Sequence, residues 1–303
     1  MMSTIPERVI AMRKAWAQSD AKRDAGLTEP ETVEKYRDIS YGPYDTWNLL
    51  DLYVPKEAES GKTADGRWPV IVSIHGGGFF YGDKELYRFY CMHLAEFGFA
   101  VVNYNYRLAP EFHFPSPIED AIAVLRWVSA NADRYGLDTS NVFLVGDSAG
   151  AQLVSQVSCI LTNREYGALF GLAIPENVRV RAIGLSCGTY RFNGDTEEAR
   201  RNPMILDYFG DEKLYDDPRT EVLANITADY PPTYIFSAYN DPLLIECEPT
   251  AKLIESRGVE VCCRIFGSPE AKEVGHVFQV NMYLEEGEKA NREQTDFFRA
   301  HMV

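Results

Sequence analysis

Long apolar runs are missing from this chain. None of its 303 residues falls in a stretch long enough to cross a bilayer as a helix, so no membrane span is expected. Also missing, between Met1 and Asp20, are the continuous apolar segment and small-residue cleavage site of a secretion signal, which leads to the expectation of a cytoplasmic protein. Positive charge is scarce. Lys and Arg number 30 against 45 Asp and Glu, and the resulting net charge of −15 argues against a nucleic-acid partner, which needs clustered cations. The same balance disfavours docking on an anionic membrane and serves solubility instead. The six cysteines (Cys91, Cys159, Cys187, Cys247, Cys262, Cys263) form no C-x-x-C pair. In a long chain without a secretion signal they read as free, buried thiols. Adjacent Cys262 and Cys263 would face opposite sides of a strand, a poor arrangement for sharing a metal ion. The sequon Asn225-Ile226-Thr227 carries no weight in a cytosolic protein. There is no internal repeat and no low-complexity segment.

What is present is the composition of a soluble globular protein, 46% hydrophobic and 25% charged, in a length that suits one large α/β domain. Residues 1 to about 40 are charged and helical in period, with Ile5, Val9, Met12 and Trp16 on one face that something must cover. A strand is expected over Trp47–Val54 and a polar surface loop over Glu57–Gly66. From Trp68 two kinds of segment alternate. Val70–Ile74, Phe99–Tyr104, Asn141–Val145 and Val178–Leu185 read as buried strands. Glu85–Phe97, Pro117–Ala130 and the stretch carrying Leu153, Val157, Ile160 and Leu161 read as helices between them. Such alternation implies a mostly parallel sheet with helices on both faces. The rhythm breaks between Tyr190 and about Tyr230, a polar and aromatic stretch that resembles an insertion of short helices. It returns with a strand over Thr233–Ser237, a helix over Leu244–Arg257 capped by Gly258, and a strand over Val259–Phe266. A charged helix over Gln279–Ala300 closes the chain, with Gly287 a weak point near its middle.

Chemistry concentrates at Val142-Phe143-Leu144-Val145-Gly146-Asp147-Ser148-Ala149-Gly150. An apolar strand stops at Gly146 and a helix begins after Ser148, which places a serine at the apex of a sharp turn. The flanking glycines permit a backbone that side chains would obstruct. A serine is a poor nucleophile without a base and a group to orient that base. Where the serine sits on such an elbow, the acid and then the histidine follow it in the chain. Of five histidines only His276 and His301 come later, and His301 lies near the end of the last helix. His276, in a glycine-bearing loop after the strand ending at Phe266, is the expected base. Asp241 directly follows the strand Thr233–Ser237, at the sheet edge where the elbow lies. It also suits an N-cap of the next helix, and Glu246 is a less favoured acid. His75-Gly76-Gly77-Gly78-Phe79 follows another strand and exposes backbone N–H groups. With the N–H of Ala149 these would hold an oxyanion. A plain glycine turn is the alternative, whereas a dinucleotide loop fails because Tyr81 stands where its third glycine should be.

The two glycine motifs together resemble the hormone-sensitive-lipase-like family of α/β-hydrolases, in its bacterial esterase and acetyl-esterase branch. Asp51-Leu52-Tyr53-Val54-Pro55, Tyr106-Arg107-Leu108-Ala109-Pro110-Glu111, Phe114-Pro115, Glu119-Asp120-Ala121 and Asp241-Pro242-Leu243 extend the likeness from about Asp51 onward. The resemblance implies an α/β-hydrolase fold across residues 1–303, with a helical cap from about 1–40 and about 190–230. It implies a triad of Ser148, Asp241 and His276 and an oxyanion hole from the N–H groups of Gly77, Gly78 and Ala149, with Gly76 adjacent. His75 would support the loop, and Arg107 and Glu111 would brace it; His93 and His113 would have no catalytic part. The departure is at Gly275-His276-Val277-Phe278, which follows a longer, more acidic loop than the family's His-Gly-Phe. The implied activity is hydrolysis of small short-acyl esters, acetylated sugars included, through an acyl-enzyme, with no metal or cofactor. A peptidase on the same fold and a non-catalytic ligand-binding protein on a hydrolase scaffold are the rivals. The latter is expected to lose part of the triad. A small-molecule ester is the expected partner, and self-association is left open.

Overall fold

A strand that is apolar at nearly every position must be covered on both faces, and this requirement sets the architecture. The computed structural model describes residues 5–56, 61–192 and 202–303. Its strands are β1 (Val33–Ser40), β2 (Leu49–Pro55), β3 (Trp68–Ile74), β4 (Ala100–Tyr104), β5 (Leu137–Asp147), β6 (Val180–Ser186), β7 (Thr233–Ala238) and β8 (Val261–Phe266). They form one sheet in the order β1-β2-β4-β3-β5-β6-β7-β8. The pairs β1–β2 and β2–β4 are antiparallel, and every later pair is parallel.

Neighbouring residues of a strand serve opposite layers. Val70, Val72, Leu144 and Ile183 pack with Ile118 and Ile122 of α3 (Ser116–Tyr135) and Leu153 and Val157 of α4 (Ala149–Thr162). Ile71, Val101, Phe143 and Val145 pack the other way, with Leu94 of α2 (Lys84–Glu96) and Phe298 of α8 (Glu285–Ala300). The expected α/β layering is therefore present. All six cysteines are free, and Cys262 and Cys263 join different apolar clusters on the two sides of the sheet.

Three expectations need correction. Residues 1–40 are not helical throughout: only α1 (Glu7–Arg23) is, and 33–40 form β1. β1 lies at the sheet edge, where solvent admits Glu34, Arg37 and Asp38, and a bulge between Tyr36 and Ile39 breaks the period of two. Those residues therefore belong to the sheet. The closing helix begins at Glu285 rather than Gln279, because a 3₁₀ turn (Phe278–Val280) intervenes. Gly287 is a close-approach position, not a weak point. A Cβ there would lie 3.1 Å from the Phe278 carbonyl oxygen, so glycine lets α8 press against the loop that follows His276.

The segment 202–230 holds α6 (Pro203–Phe209) and three 3₁₀ turns, as an insertion of short helices should. α5 (Arg164–Ala168) and α7 (Leu244–Ser256) complete the helices used below. Residues 1–4 and 193–201 of the expected cap, and 57–60 of the expected surface loop, lie outside the described residues.

Candidate active site

Ser148 links β5 to α4 with φ 51° and ψ −117°, a conformation in which L-residues are strained. The strain is held by neighbours. Its N–H donates to the Ser186 carbonyl at 2.9 Å. A Cβ on Gly150 would sit 2.0 Å from the Ile74 carbonyl oxygen, and one on Gly146 would sit 2.4 Å from that of Gly150. Both glycines are thus required for the elbow to close against β3.

Facing this hydroxyl is His276, whose Nε2 lies 3.1 Å from Ser148 Oγ while Nδ1 lies 2.9 Å from Asp241 Oδ1. The structure brings together the three residues expected from chain order. Asp241 is fully buried at its side chain and also accepts from Ser237 Oγ at 2.6 Å and the Leu243 N–H at 2.9 Å. Burial pushes its carboxyl up, but the hydrogen bonds from His276, Ser237 and Leu243 together outweigh it and leave the pKa below the ordinary value. The carboxylate is charged at neutral pH and fixed toward the imidazole. Its alternative role fails, since residue 243 rather than 241 is the N-cap of α7.

The long loop before His276 is pinned by Asn240, which donates to the carbonyls of Ser268 (2.8 Å) and Ala271 (2.9 Å) and accepts from Lys272 Nζ at 3.0 Å. A residue beside Asp241 therefore shapes the segment that delivers the base.

Next to Ser148 the glycine run turns back on itself, with Gly77 at φ 103°, Gly78 at φ 62° and Phe79 at φ 71°. A Cβ on Gly77 would sit 2.0 Å from the Tyr81 carbonyl oxygen. Among the described residues no group accepts from the N–H of Gly77, Gly78 or Ala149. The Gly76 N–H is occupied: it donates to Tyr87 Oη at 3.1 Å, and Tyr87 Oη donates to Asp147 Oδ2 at 2.8 Å. Burial raises the Asp147 carboxyl to about 6.

His75 is buried and stacked on Tyr106 at 4.1 Å, and its Nδ1 lies 2.8 Å from the Gly76 carbonyl oxygen. Burial lowers its pKa to about 4, so it is neutral near pH 7 and supports the loop. His93 faces Glu288, His113 the Asp207 carbonyl, and His301 the Phe297 carbonyl. Arg107 binds Asp120 and Glu119.

Sequence reasoning missed the residues that tie α1 to this floor. Arg13 donates from Nε to the Phe80 carbonyl at 2.7 Å, to the Ala109 carbonyl at 2.9 Å, and with two nitrogens to Glu111 at 2.7 Å each. Tyr81 Oη donates to Asp20 Oδ2 at 2.7 Å. Glu111 as a loop brace was visible in the sequence, but its partner 98 residues away was not. Between α1 and the floor lies a cavity of about 370 Å³, lined by Trp16, Asp20, Arg23, Tyr81, Ser148 and His276.

The described residues offer one set of metal-ligand types, Cys187, Asp241 and His276, with atoms within 4.8 Å of one another. It coincides with the acid and base, whose facing atoms already share a hydrogen bond. The arrangement can withdraw a proton from Ser148 and hold developing negative charge on backbone N–H groups.

A family model described as the alpha/beta hydrolase fold matches residues 71–280. A probable carboxylic ester hydrolase of Mycobacterium tuberculosis, LipM, is 31% identical over 217 residues, 68% of this chain and 48% of that protein. The versiconal hemiacetal acetate esterase of Dothistroma septosporum is 37% identical over 211 residues, 64% of this chain and 63% of that protein. The chain thus spans about half and somewhat under two thirds of these two relatives. A crystal structure of esterase B from Lactobacillus rhamnosis, with a tributyrin phosphonate, superposes with TM-score 0.85 at 29% identity, covering 98% of this chain and 96% of that one.

Proposed function

The chain belongs to the α/β-hydrolase family, and from that premise we propose that it is a serine carboxylesterase acting on small, short-acyl esters. One observation carries the reading: the unbroken path Ser148 Oγ–His276–Asp241, at 3.1 and 2.9 Å, beside three N–H groups with no acceptor among the described residues. A ligand-binding protein has no use for such a path.

His276 Nε2 takes the Ser148 proton as Oγ attacks the ester carbonyl carbon. Asp241 holds the Nδ1–H tautomer and stabilises the imidazolium. The N–H groups of Gly77, Gly78 and Ala149 receive the oxyanion, an interaction worth on the order of 100- to 1000-fold in rate per donor. The C–O bond of the leaving alcohol then breaks as His276 returns the proton to it. Water, deprotonated by His276, attacks the acyl-enzyme and releases the acid.

A cavity of about 370 Å³ suits a small acyl or alkoxy group, and an acetate esterase among the relatives supports acetyl transfer to water. Acetylated sugars fall within this class. α1 bounds the cavity through Trp16, Asp20 and Arg23, and with the described part of the insertion, 202–230, it makes up the cap of this reading. No helix among the described residues is long and apolar enough to cross a membrane, and six free thiols favour a reducing, cytoplasmic setting.

Ser148→Ala tests the reading. Hydrolysis of p-nitrophenyl acetate is expected to fall by at least about 1000-fold, to the residual catalysis that binding and backbone donors supply. Turnover near wild type would refute the assignment.

A further inference from the structure

Outside the mechanism, two thiols meet. Cys247, buried on the inner face of α7, lies with its Sγ 3.9 Å from Sγ of Cys263 on β8. Both belong to the same apolar cluster between α7 and the sheet, whereas neighbouring Cys262 packs on the opposite side. Cys247 is 3% exposed, while Cys263 is only partly covered. From this juxtaposition we infer that Cys247 and Cys263 are a peroxide-oxidation site that closes into a reversible disulfide.

The division of labour follows from the environment. Either thiol can donate across this contact, and the pairing lowers the Cys263 thiol while burial, Glu248 and Glu255 push it up. Cys247 is pushed up by the same pairing and by burial. Cys263, the more exposed of the two, is the sulfur that meets the oxidant as its thiolate. Its sulfur attacks one oxygen of hydrogen peroxide, the O–O bond breaks, and a sulfenic acid forms as the departing hydroxide becomes water. The Cys247 sulfur then attacks the Cys263 sulfur, the S–O bond breaks, and a second water leaves. Two thiols and one peroxide yield one disulfide and two waters, and an added dithiol reverses the bond by exchange.

Closure needs the sulfurs to approach from 3.9 Å to about 2.05 Å. The link would join residues 16 apart in sequence. It would connect α7, which starts just after Asp241, to β8, which leads into the loop carrying His276. A cross-link over that span is expected to raise the thermal midpoint by a few degrees.

The test uses the full-length protein, treated with hydrogen peroxide, alkylated under denaturing conditions and digested with trypsin. Lys252 and Arg257 lie between the two thiols, so the linked peptides are diagnostic, and fragment ions distinguish Cys263 from Cys262. The expected result is a dithiol-reversible Cys247–Cys263 peptide and a higher melting midpoint than the reduced protein. In Cys247→Ser the reaction should stop at a sulfenic acid on Cys263 that dimedone traps. Both thiols remaining alkylatable while other cysteines react would overturn the inference. So would linkage of Cys263 to Cys262 or to a second copy, or a lowered midpoint. Peptide mapping of the wild type suffices even where the variant does not fold.

Discussion

The floor of the site and its cover are built by different means. The floor consists of the carboxyl ends of β3, β5 and β7 with the turns that leave them. Backbone sterics and hydrogen bonds fix it: the Gly150–Ile74 approach, the Ser148 N–H on the Ser186 carbonyl, the Gly77 turn. The proposed cover, α1 and 202–230, is held by side chains. Arg13 reaches the Phe80 and Ala109 carbonyls, Arg8 pairs with Asp207, and Tyr208 stacks on Phe79 at 4.1 Å. A floor held by backbone tolerates little change in sequence, whereas a cover held by side chains can be re-cut without disturbing the chemistry. Under the proposed function, the difference would place reaction rate in the first region and choice of substrate in the second.

That division can be broken at three places. The largest effect is expected inside the floor, at Asp147. Its folded-state pKa of about 6 lies above the ordinary value, so the folded protein holds this proton more tightly than the unfolded chain does. Stability from this group is therefore fully present below pH ~4 and is lost as pH rises through about 6, by up to about 3 kcal/mol. Asp147→Asn, which keeps an acceptor for Tyr87, should withstand more urea than wild type at pH 8, and the advantage should vanish toward pH 4. An unchanged difference across that range would mean that the buried carboxyl does not titrate as described.

Arg13 joins the two regions and tests whether they are separable. Its guanidinium fixes the Phe80–Tyr81 peptide, just past the glycine run of the proposed oxyanion donors, so Arg13 is a positioning residue. In Arg13→Ala, kcat should fall about 10- to 100-fold through misplacement of those donors, with a smaller change in KM. Affinity for a boronic acid that mimics the tetrahedral intermediate should fall in parallel. If only KM moves, Arg13 belongs to the cover alone.

Trp16 gives the smallest effect. Its ring edge lies 3.7 Å from where a Gly78 side chain would be, at the cavity wall. Trp16→Ala should change kcat on p-nitrophenyl acetate by less than about threefold, because no reacting atom loses a contact. The preference across the series from acetate to decanoate should shift to longer chains. An unchanged chain-length profile would remove α1 from substrate choice.

The same contrast explains how much was legible in the sequence. Gly146, Ser148 and Gly150 act on one another within five residues, so the elbow could be read directly. His276 and Asp241 were reachable because strand order fixes which loops meet at one sheet edge. β1 was not, because an edge strand exposed to water carries Glu34, Arg37 and Asp38 and loses the apolar alternation that marks buried strands. Arg13 was invisible for a different reason. Its partners at 80, 109 and 111 are contacts between distant segments, and an arginine on a charged helix reads as a solvated face. Tyr87, which accepts from the Gly76 N–H, lay within the expected helix Glu85–Phe97, where nothing local marks that contact. Gly287 read as a helix defect because the Phe278 carbonyl it accommodates is close only in the folded chain.

The central claim is that His276 makes Ser148 reactive, and covalent labelling by a fluorophosphonate tests it most directly. The account predicts one adduct per wild-type chain, mapped to Ser148, with the labelling rate falling at least about 100-fold in His276→Ala. Labelling of Ser148 at the same rate without the imidazole, or an adduct on another residue, would contradict it.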